Sequence, residues 1–120
     1  YTVSALTAFV PARDFEASLE FYRDLGFVEV TREPKMSRLK LESCEFWLQD
    51  YYVKEWAENT MLCLYVESLD AWWSKIRAMN LEAKYGGTAR VLSPPHEQKG
   101  GMMLQVADPS GVLWHFRENR

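Results

Sequence analysis

Two histidines are the side chains best suited to proton transfer or metal binding near neutral pH. His115 lies in a strand-like segment near the carboxyl end, and His96 lies in a proline-rich stretch. His115 could be a general acid or base, a donor to a bound ligand, or a polar group satisfied by a neighbour or by water. No serine or cysteine is clearly partnered with it as a nucleophile, so we predict no catalytic residue. His96 is interpreted as a solvated or lid residue.

The cysteines and the helical carboxylates suggest little further chemistry. Cys44 and Cys63 lie in strand-like segments and lack the close spacing of metal ligands. We expect two buried free thiols in a reducing cytoplasm rather than a disulfide. Four carboxylates fall on the polar faces of predicted helices and receive no catalytic role: Glu16, Glu20, Asp24 and Asp70.

The elements that would hold these side chains occur twice. An amphipathic helical pattern over residues 15–25 is repeated over residues 69–79, so that Leu19 corresponds to Trp73. Each predicted helix follows an apolar strand and precedes further strands. Because each copy is too small to bury its own apolar face, the two copies must share a core.

Capping residues and turn residues set the predicted boundaries. Asp14 and Ser68 are predicted helix N-caps, and Gly26 provides a left-handed helix end. Residues 108–111, Asp-Pro-Ser-Gly, are predicted to form a hairpin turn. The predicted strands cover residues 4–10, 27–33, 38–42, 45–49, 60–66, 81–85, 90–92, 102–107 and 112–117, with an irregular loop over residues 93–101.

The repeat also divides the chain. We predict a first module of residues 1–50, a connecting segment of residues 51–59 and a second module of residues 60–120, together forming one structural domain. The connecting segment is rich in aromatic residues, so it is expected to pack against other elements rather than to act as a flexible linker.

Composition and charge exclude several classes of partner. The chain has a formal net charge of −3, with 48% hydrophobic and 14% aromatic residues, which is ample for a core. Nucleic-acid binding requires a basic face and is not expected. Neither a signal peptide nor an apolar run of the ~20 residues that span a bilayer is visible, so we expect a cytoplasmic protein.

Three segments carry a family resemblance. They are residues 11–27, with the motif Phe-Tyr-x-x-x-Leu-Gly-Phe, residues 66–73, and residues 108–114, with Asp-Pro-x-Gly. With these segments the chain resembles the vicinal oxygen chelate superfamily, in its glyoxalase/bleomycin resistance protein/dioxygenase branch. The resemblance implies an α+β fold in which two βαβββ modules form curved mixed sheets around a cavity. It also implies a homodimer, in many members with swapped halves.

In metal-dependent members of this superfamily, the ligands come from the first and last strands of each module. By that resemblance, the four ligand positions of this chain are Thr7, Trp47, Met61 and His115. A catalytic divalent ion needs about three nitrogen or oxygen donors, and these positions supply one imidazole. We therefore expect no metal cofactor and no activation of a chelated substrate by a metal.

Strand alternation assigns side chains either to the helix side of each sheet or to the cavity. Leu6, Ala8 and Val10 are expected to face the first helix, which leaves Thr7 and Phe9 on the cavity side. The predicted ligand-binding residues are Phe9, Trp47, Gln49, Met61, Tyr65, His115 and Arg117, with Tyr51, Tyr52 and Trp56 as a wall or lid.

The aromatic side chains facing the cavity have two interpretations. A cavity lined by Trp and Tyr suits a flat aromatic or amphipathic small molecule, and Arg38, Gln49 and Arg117 could orient a carboxylate or carbonyl on it. The same rings could instead fill the interface of a swapped dimer. Trp72 and Trp73 have helical spacing and are expected in the core.

Three functions are consistent with these observations. The first is a metal-free binding protein that resembles bleomycin resistance proteins and sequesters a bulky aromatic or amphipathic compound; the acidic balance fits a cationic one. The second is a metal-dependent lyase, isomerase or ring-cleaving dioxygenase with a non-standard ligand set that includes His115. The third is an interaction or sensor domain whose cavity is filled by its own side chains.

Overall fold

The computed structural model describes residues 1–118, which form two four-stranded sheets. The first sheet has the order β1-β4-β3-β2 and contains β1 (Phe9–Pro11), β2 (Val28–Glu33), β3 (Met36–Leu41) and β4 (Cys44–Gln49). The second has the order β5-β8-β7-β6 and contains β5 (Met61–Val66), β6 (Arg90–Gln98), β7 (Gly101–Ala107) and β8 (Leu113–Glu118). The last two residues of the predicted second module, Asn119 and Arg120, lie outside the described residues.

Both sheets have the same mixed topology. In each, the first strand runs parallel to the last, β1 beside β4 and β5 beside β8, and the remaining neighbours are antiparallel. The predicted α+β fold with two mixed sheets is therefore confirmed. The internal repeat in the sequence corresponds to this repeated topology.

Over the described residues, four helices connect the strands: α1 (Phe15–Leu25), α2 (Lys54–Ala57), α3 (Leu69–Met79) and α4 (Leu81–Tyr85). The predicted N-caps are confirmed, because the Asp14 and Ser68 side chains each accept a backbone N–H three residues on, at 3.2 Å. Gly26 ends α1 with a φ of 116°, a conformation that favours glycine. None of the helices within residues 1–118 is long and apolar enough to cross a membrane.

The two halves join through the helix-facing sides of their sheets. The Trp114 ring lies with its centroid 5.6 Å from that of Phe46 and 5.6 Å from that of Tyr22. All three side chains are almost completely buried in one cluster that contains residues from both halves. The two halves therefore share a core, as the sequence predicts. Trp47 and His115 follow Phe46 and Trp114 in the strands and therefore point to the opposite side of each sheet. That opposite side is called the inner face below.

A buried hydrogen-bond network links α1 to the turn between β7 and β8. The Tyr22 hydroxyl donates to Asp108 Oδ2 at 2.5 Å and accepts from Trp114 Nε1 at 2.9 Å. Asp108 Oδ1 accepts the backbone N–H groups of Ser110 at 2.8 Å and Val112 at 2.9 Å, which confirms the predicted turn. Burial raises the pKa of Asp108 to about 6, although these hydrogen bonds oppose the shift.

The prediction of a strand over residues 4–10 is wrong for its first five residues. The strand β1 begins at Phe9, and Leu6 is 97% exposed rather than packed on α1. The Trp47 N–H donates to the Ala8 carbonyl, and within the described residues no position before Ala8 has a backbone hydrogen bond to β4. Residues 4–7 have the sequence pattern of a strand, but within the described residues no strand lies beside them to accept and donate their backbone hydrogen bonds.

Two predictions in the second half are also wrong. Residues 81–85 form α4 instead of a strand, because Asn80 turns the chain in the left-handed conformation and Leu81 then becomes buried. Residues 93–98 continue β6 instead of forming an irregular loop. This edge strand tolerates Pro94 and Pro95 because its pairing with β7 is irregular between Ser93 and His96.

Burial differs from prediction at the cysteines and at two tryptophans. Cys44 and Cys63 are free, as predicted, but both are exposed. Cys44 begins β4 and Cys63 lies on the open inner face, so neither reaches the core. Trp72 and Trp73 are only partly buried and pack on the edge of the core.

Candidate functional site

The inner face of the first sheet presents a flat aromatic surface. The strand register places Phe9, Trp47, Arg38 and Thr31 side by side across β1, β4, β3 and β2. The rings of Phe9 and Trp47 are stacked, with centroids 6.5 Å apart and an interplanar angle of 15°. Phe9 is 53% exposed, so this pair is open to a further planar group.

Arg38 borders this aromatic pair, and only some of its N–H groups have a hydrogen-bond partner. Its Nη2 donates to Thr31 Oγ1 at 3.2 Å, and its Nη1 lies 3.5 Å from the carboxylate of Glu45. Its Nε is buried and has no hydrogen-bond partner within the described residues. Gln49 lies on the same face, two residues after Trp47 in β4 and opposite Met36.

The inner face of the second sheet carries polar side chains at the corresponding positions. Cys63, His115, Gln105 and Ser93 lie side by side across β5, β8, β7 and β6. Gln105 Nε2 is 3.3 Å from His115 Nδ1, so the amide orients the imidazole. Burial, and then the positive charge of Arg117, lower the pKa of His115, which leaves the ring neutral at pH 7.

A second row of the same face combines a cation with apolar groups. Arg117 pairs with Tyr65 on one side and Met103 on the other, and its Nη2 donates to the backbone carbonyl of Lys99 at 2.9 Å. Tyr65 is 67% exposed, and Met61, at the start of β5, is 64% exposed. Large apolar side chains that remain open in this way on both sheets favour a further binding partner.

The aromatic residues of the connecting segment divide into two groups. Tyr51 and Trp56 form an exposed pair with ring centroids 5.9 Å apart. Tyr52 is partly buried, packs on the core and lies beneath the Arg13 guanidinium, 5.8 Å from the ring centre. Tyr51 and Trp56 are therefore accessible to a ligand, whereas Tyr52 mainly anchors the segment.

Residues 1–118 of one chain do not enclose a cavity between the two inner faces. The sheets pack through their opposite sides, and the inner-face residues Phe9, Met61 and Tyr65 are all more than half exposed. A cleft of about 420 Å³ lies elsewhere, between the turn from β3 to β4 and the start of α3, and Tyr65 and Trp72 line it. Tyr65 thus borders both regions.

The donor set does not fit the divalent ion that metal-dependent members of the superfamily hold. Of the four positions that the resemblance indicates, Trp47, Met61 and His115 lie on the inner faces, whereas Thr7 precedes β1. Between residues 1 and 118, no three His, Cys, Asp or Glu side chains converge as a metal site. An imidazole, a thioether, a hydroxyl and an indole are a poor ligand set for a hard cation.

The family of the chain follows from comparison with known proteins. The family model described as the Glyoxalase/Bleomycin resistance protein/Dioxygenase superfamily matches residues 4–116. The chain belongs to this superfamily. A relative within it is a bleomycin resistance protein of Klebsiella pneumoniae, which is 25% identical over 113 residues and is matched over 92% of this chain and 88% of its own length.

Solved structures share the fold of this superfamily member over nearly its whole length. A bleomycin resistance determinant encoded on the transposon Tn5 has a TM-score of 0.82 at 24% identity, covering 98% of this chain and 99% of that one. A bleomycin-binding protein complexed with bleomycin has a TM-score of 0.81 at 23% identity, covering 98% and 100%. Lactoylglutathione lyase from Agrobacterium tumefaciens has a TM-score of 0.72 at 19% identity, covering 98% and 96%. The shared fold therefore serves both binding proteins and enzymes.

Gln105 and Glu45 are inner-face residues that sequence reasoning did not select. In β7, Leu104 and Val106 are buried against the helices, so alternation places Gln105 on the inner face. The same reasoning places Glu45 beside Trp47. Strand alternation could have placed both residues on the inner faces, but their importance depends on which residues lie beside them across the sheet, and the sequence alone does not give that.

Proposed function

We propose that this protein sequesters a bulky aromatic or amphipathic small molecule in a metal-free, stoichiometric complex. The open stack of Phe9 and Trp47 on an inner face is the observation that supports this proposal most, since a planar compound gains both apolar area and ring contacts there. The relatives with bleomycin in their names support the same class of function. The proposed contacts are Phe9, Trp47, Gln49, Tyr51, Trp56, Met61, Tyr65, His115 and Arg117, and Tyr52 is proposed to anchor the segment that carries Tyr51 and Trp56.

The binding site is proposed to lie between two copies of the chain. A second copy could cover the open inner faces, with the first sheet of one copy against the second sheet of the other, which would create two equivalent clefts. The exposed segment 1–8 would contribute to this contact, because Val3 is 84% and Leu6 97% exposed. Light scattering should then report the mass of two 14.0 kDa chains, and removal of residues 1–8 should shift the equilibrium towards one.

A matched pair of variants tests the binding site. Trp47→Leu removes the ring from the inner face, whereas Trp73→Leu makes the same substitution on α3, where Trp73 lies beneath Arg77. Bleomycin and a panel of planar aromatic compounds would be titrated by calorimetry. We expect saturable binding that Trp47→Leu weakens about ten-fold and Trp73→Leu leaves within about two-fold, since a ring contact is worth about 0.5–1.5 kcal/mol beyond the apolar area that it buries.

The same experiment separates sequestration from catalysis. After saturation, mass spectrometry should recover the compound unchanged, and a chelator should not alter the binding curve. Conversion of the compound, or affinity that chelation abolishes, would replace the proposal with a metal-dependent enzyme that uses His115. Absence of saturable binding across the panel would favour a domain whose inner faces are filled by protein side chains. We further propose action in the cytoplasm, where free thiols such as Cys44 and Cys63 stay reduced.

A further inference from the structure

The charge of the inner faces differs in sign from the charge of the whole chain. By strand register, the charged residues that point to these faces are Arg38, Lys40, Arg90, Arg117, Glu33 and Glu45. Four of these six groups are cationic, whereas the whole chain has a formal net charge of −3. The strand positions of the two inner faces therefore carry a net positive charge, although the protein as a whole is acidic.

The acidic surplus lies outside these strand positions, which hold two of the 17 Asp and Glu residues but four of the 14 Lys and Arg residues. Part of it lies along α1, which packs on the helix-facing side of the first sheet: Asp14, Glu16, Glu20 and Asp24 line one exposed region together with Arg23. Arg32 pairs with Glu16, and Lys84 pairs with Glu20 and Asp24, so these carboxylates are partly neutralised. A ligand at the inner faces would be separated from these carboxylates by the sheet and by the core. The net charge of the chain thus describes the helical surface rather than the candidate site.

Most cations of the inner faces are not neutralised within the chain. Arg38 has Glu45 at 3.5 Å, but none of the ion pairs formed within residues 1–118 includes Lys40, Arg90 or Arg117. Arg117 uses one nitrogen for the Lys99 carbonyl, and its guanidinium has further N–H groups to donate. A carboxylate or sulfonate accepts such donors in charge-assisted hydrogen bonds, whereas an ammonium group would be repelled.

Stacking and charge together define a class of ligand. We propose that the sequestered compound is a planar aromatic anion, with its rings on Phe9 and Trp47 and its acidic group directed to the guanidinium of Arg117. This inference rests on the proposed function, because it places the compound between the inner faces of two copies. His115, neutral at pH 7, and Gln105 add hydrogen-bonding groups that do not oppose the negative charge.

Three anthracene derivatives that differ only in one substituent test the proposal. Anthracene-2-carboxylate, anthracene-2-carboxamide and 2-(aminomethyl)anthracene would be titrated into the intact protein by calorimetry at pH 7. The carboxylate should bind about ten-fold more tightly than the amine, with the amide between them. Raising the salt from about 50 mM to about 500 mM should reduce this preference, because screening weakens exposed charge pairs.

A pair of arginine variants locates the charge effect. Arg117→Gln should weaken carboxylate binding about five-fold and leave amine binding unchanged or tighter, because only the anion loses a partner. Arg77→Gln on the outer side of α3 should change neither affinity. Amine binding as tight as that of the carboxylate, or equal losses for both in Arg117→Gln, would overturn the charge inference alone. Failure of all three compounds to bind, or binding that Trp47→Leu does not affect, would overturn the proposed function with it.

Discussion

Removal of the Tyr22 hydroxyl should be unusually costly for a single buried oxygen. In Tyr22→Phe, the Asp108 carboxylate loses the donor at 2.5 Å and the Trp114 indole N–H loses the acceptor at 2.9 Å. Tyr22 and Asp108 are fully buried and Trp114 nearly so, and water cannot readily replace the lost partner. Loss of a hydrogen bond to a charged group costs about 1.5–3 kcal/mol and an orphaned buried donor about 1–3 kcal/mol, so we expect about 4 kcal/mol.

The loss should also depend on pH. The hydrogen bond from Tyr22 lowers the pKa of Asp108 against the larger effect of burial, so the variant raises that pKa further above about 6. At pH 5 the Asp108 carboxyl group of the variant is then protonated and neutral. The missing Tyr22 hydroxyl no longer leaves a buried negative charge without a hydrogen-bond donor. The penalty should therefore fall to about 2 kcal/mol at pH 5, which leaves mainly the cost of the unpaired indole.

Urea unfolding at pH 7 and pH 5 measures both quantities, provided that the m-value stays constant between the variants. Tyr51→Phe is the control, because Tyr51 is 50% exposed, and we expect it to unfold within about 0.5 kcal/mol of the parent chain. A loss below about 1 kcal/mol at pH 7, or a loss that is the same at both pH values, would refute the role assigned to this network.

Three further substitutions test separate features of the fold. Asp108→Asn should flatten the pH dependence of the free energy of unfolding. Because the pKa of Asp108 is raised from 3.8 to about 6, its contribution to stability is full below pH 3.8 and falls by about 3 kcal/mol as the pH rises through 6. Urea unfolding at pH 4 and 7 measures it, and an unchanged slope would contradict it. Gly26→Ala should cost about 1–2 kcal/mol, since φ is 116° and a Cβ would lie 3.1 Å from Lys75 Nζ; an unchanged melting temperature would exclude this. Ser68→Ala should cost about 1 kcal/mol through loss of the α3 cap, measured in the same melts, and no loss would show that the cap is dispensable.

The two long helices, α1 and α3, could be predicted well from the sequence, because local residues determine where they begin and end. Asp14 and Ser68 cap α1 and α3, and Gly26 takes the left-handed conformation that ends α1. These interactions span three or four residues, so their signals lie within the pattern itself. Strand alternation was equally local, and Trp47 and His115 lie on the predicted side of their sheets.

Strands that depend on distant partners could not be predicted in the same way. Residues 4–8 have the composition of a strand but are not paired as one in the described chain, and residues 93–98 pair with β7 in spite of two prolines. Residues 81–85 became a helix because Leu81 packs into the core after the turn at Asn80. In each case, the presence or absence of a partner far along the chain outweighed local preference.

The candidate site shows the same limit. Alternation assigns a side chain to one side of a sheet but does not say what covers that side. The two inner faces use corresponding positions for different chemistry: the pair of Phe9 and Trp47 on the first sheet corresponds to Cys63 and His115 on the second. A duplicated unit has thus produced one aromatic surface and one polar, cationic surface. Alternation selected Phe9, Trp47 and His115, and the register of the strands added the neighbours that make one face aromatic and the other polar.

Tryptophan indole signals test the central claim most directly. The chain contains five tryptophans, each with one indole N–H that gives a separate peak in a ¹⁵N–¹H correlation spectrum, and Trp47→Leu assigns the peak of interest. During titration with neutral anthracene-2-carboxamide, we predict a saturable shift of the Trp47 peak, while the peaks of Trp73 and the buried Trp114 stay in place and the compound remains chemically unchanged. A stationary Trp47 peak, or a saturable shift confined to Trp72 or Trp73, would contradict binding at the inner faces.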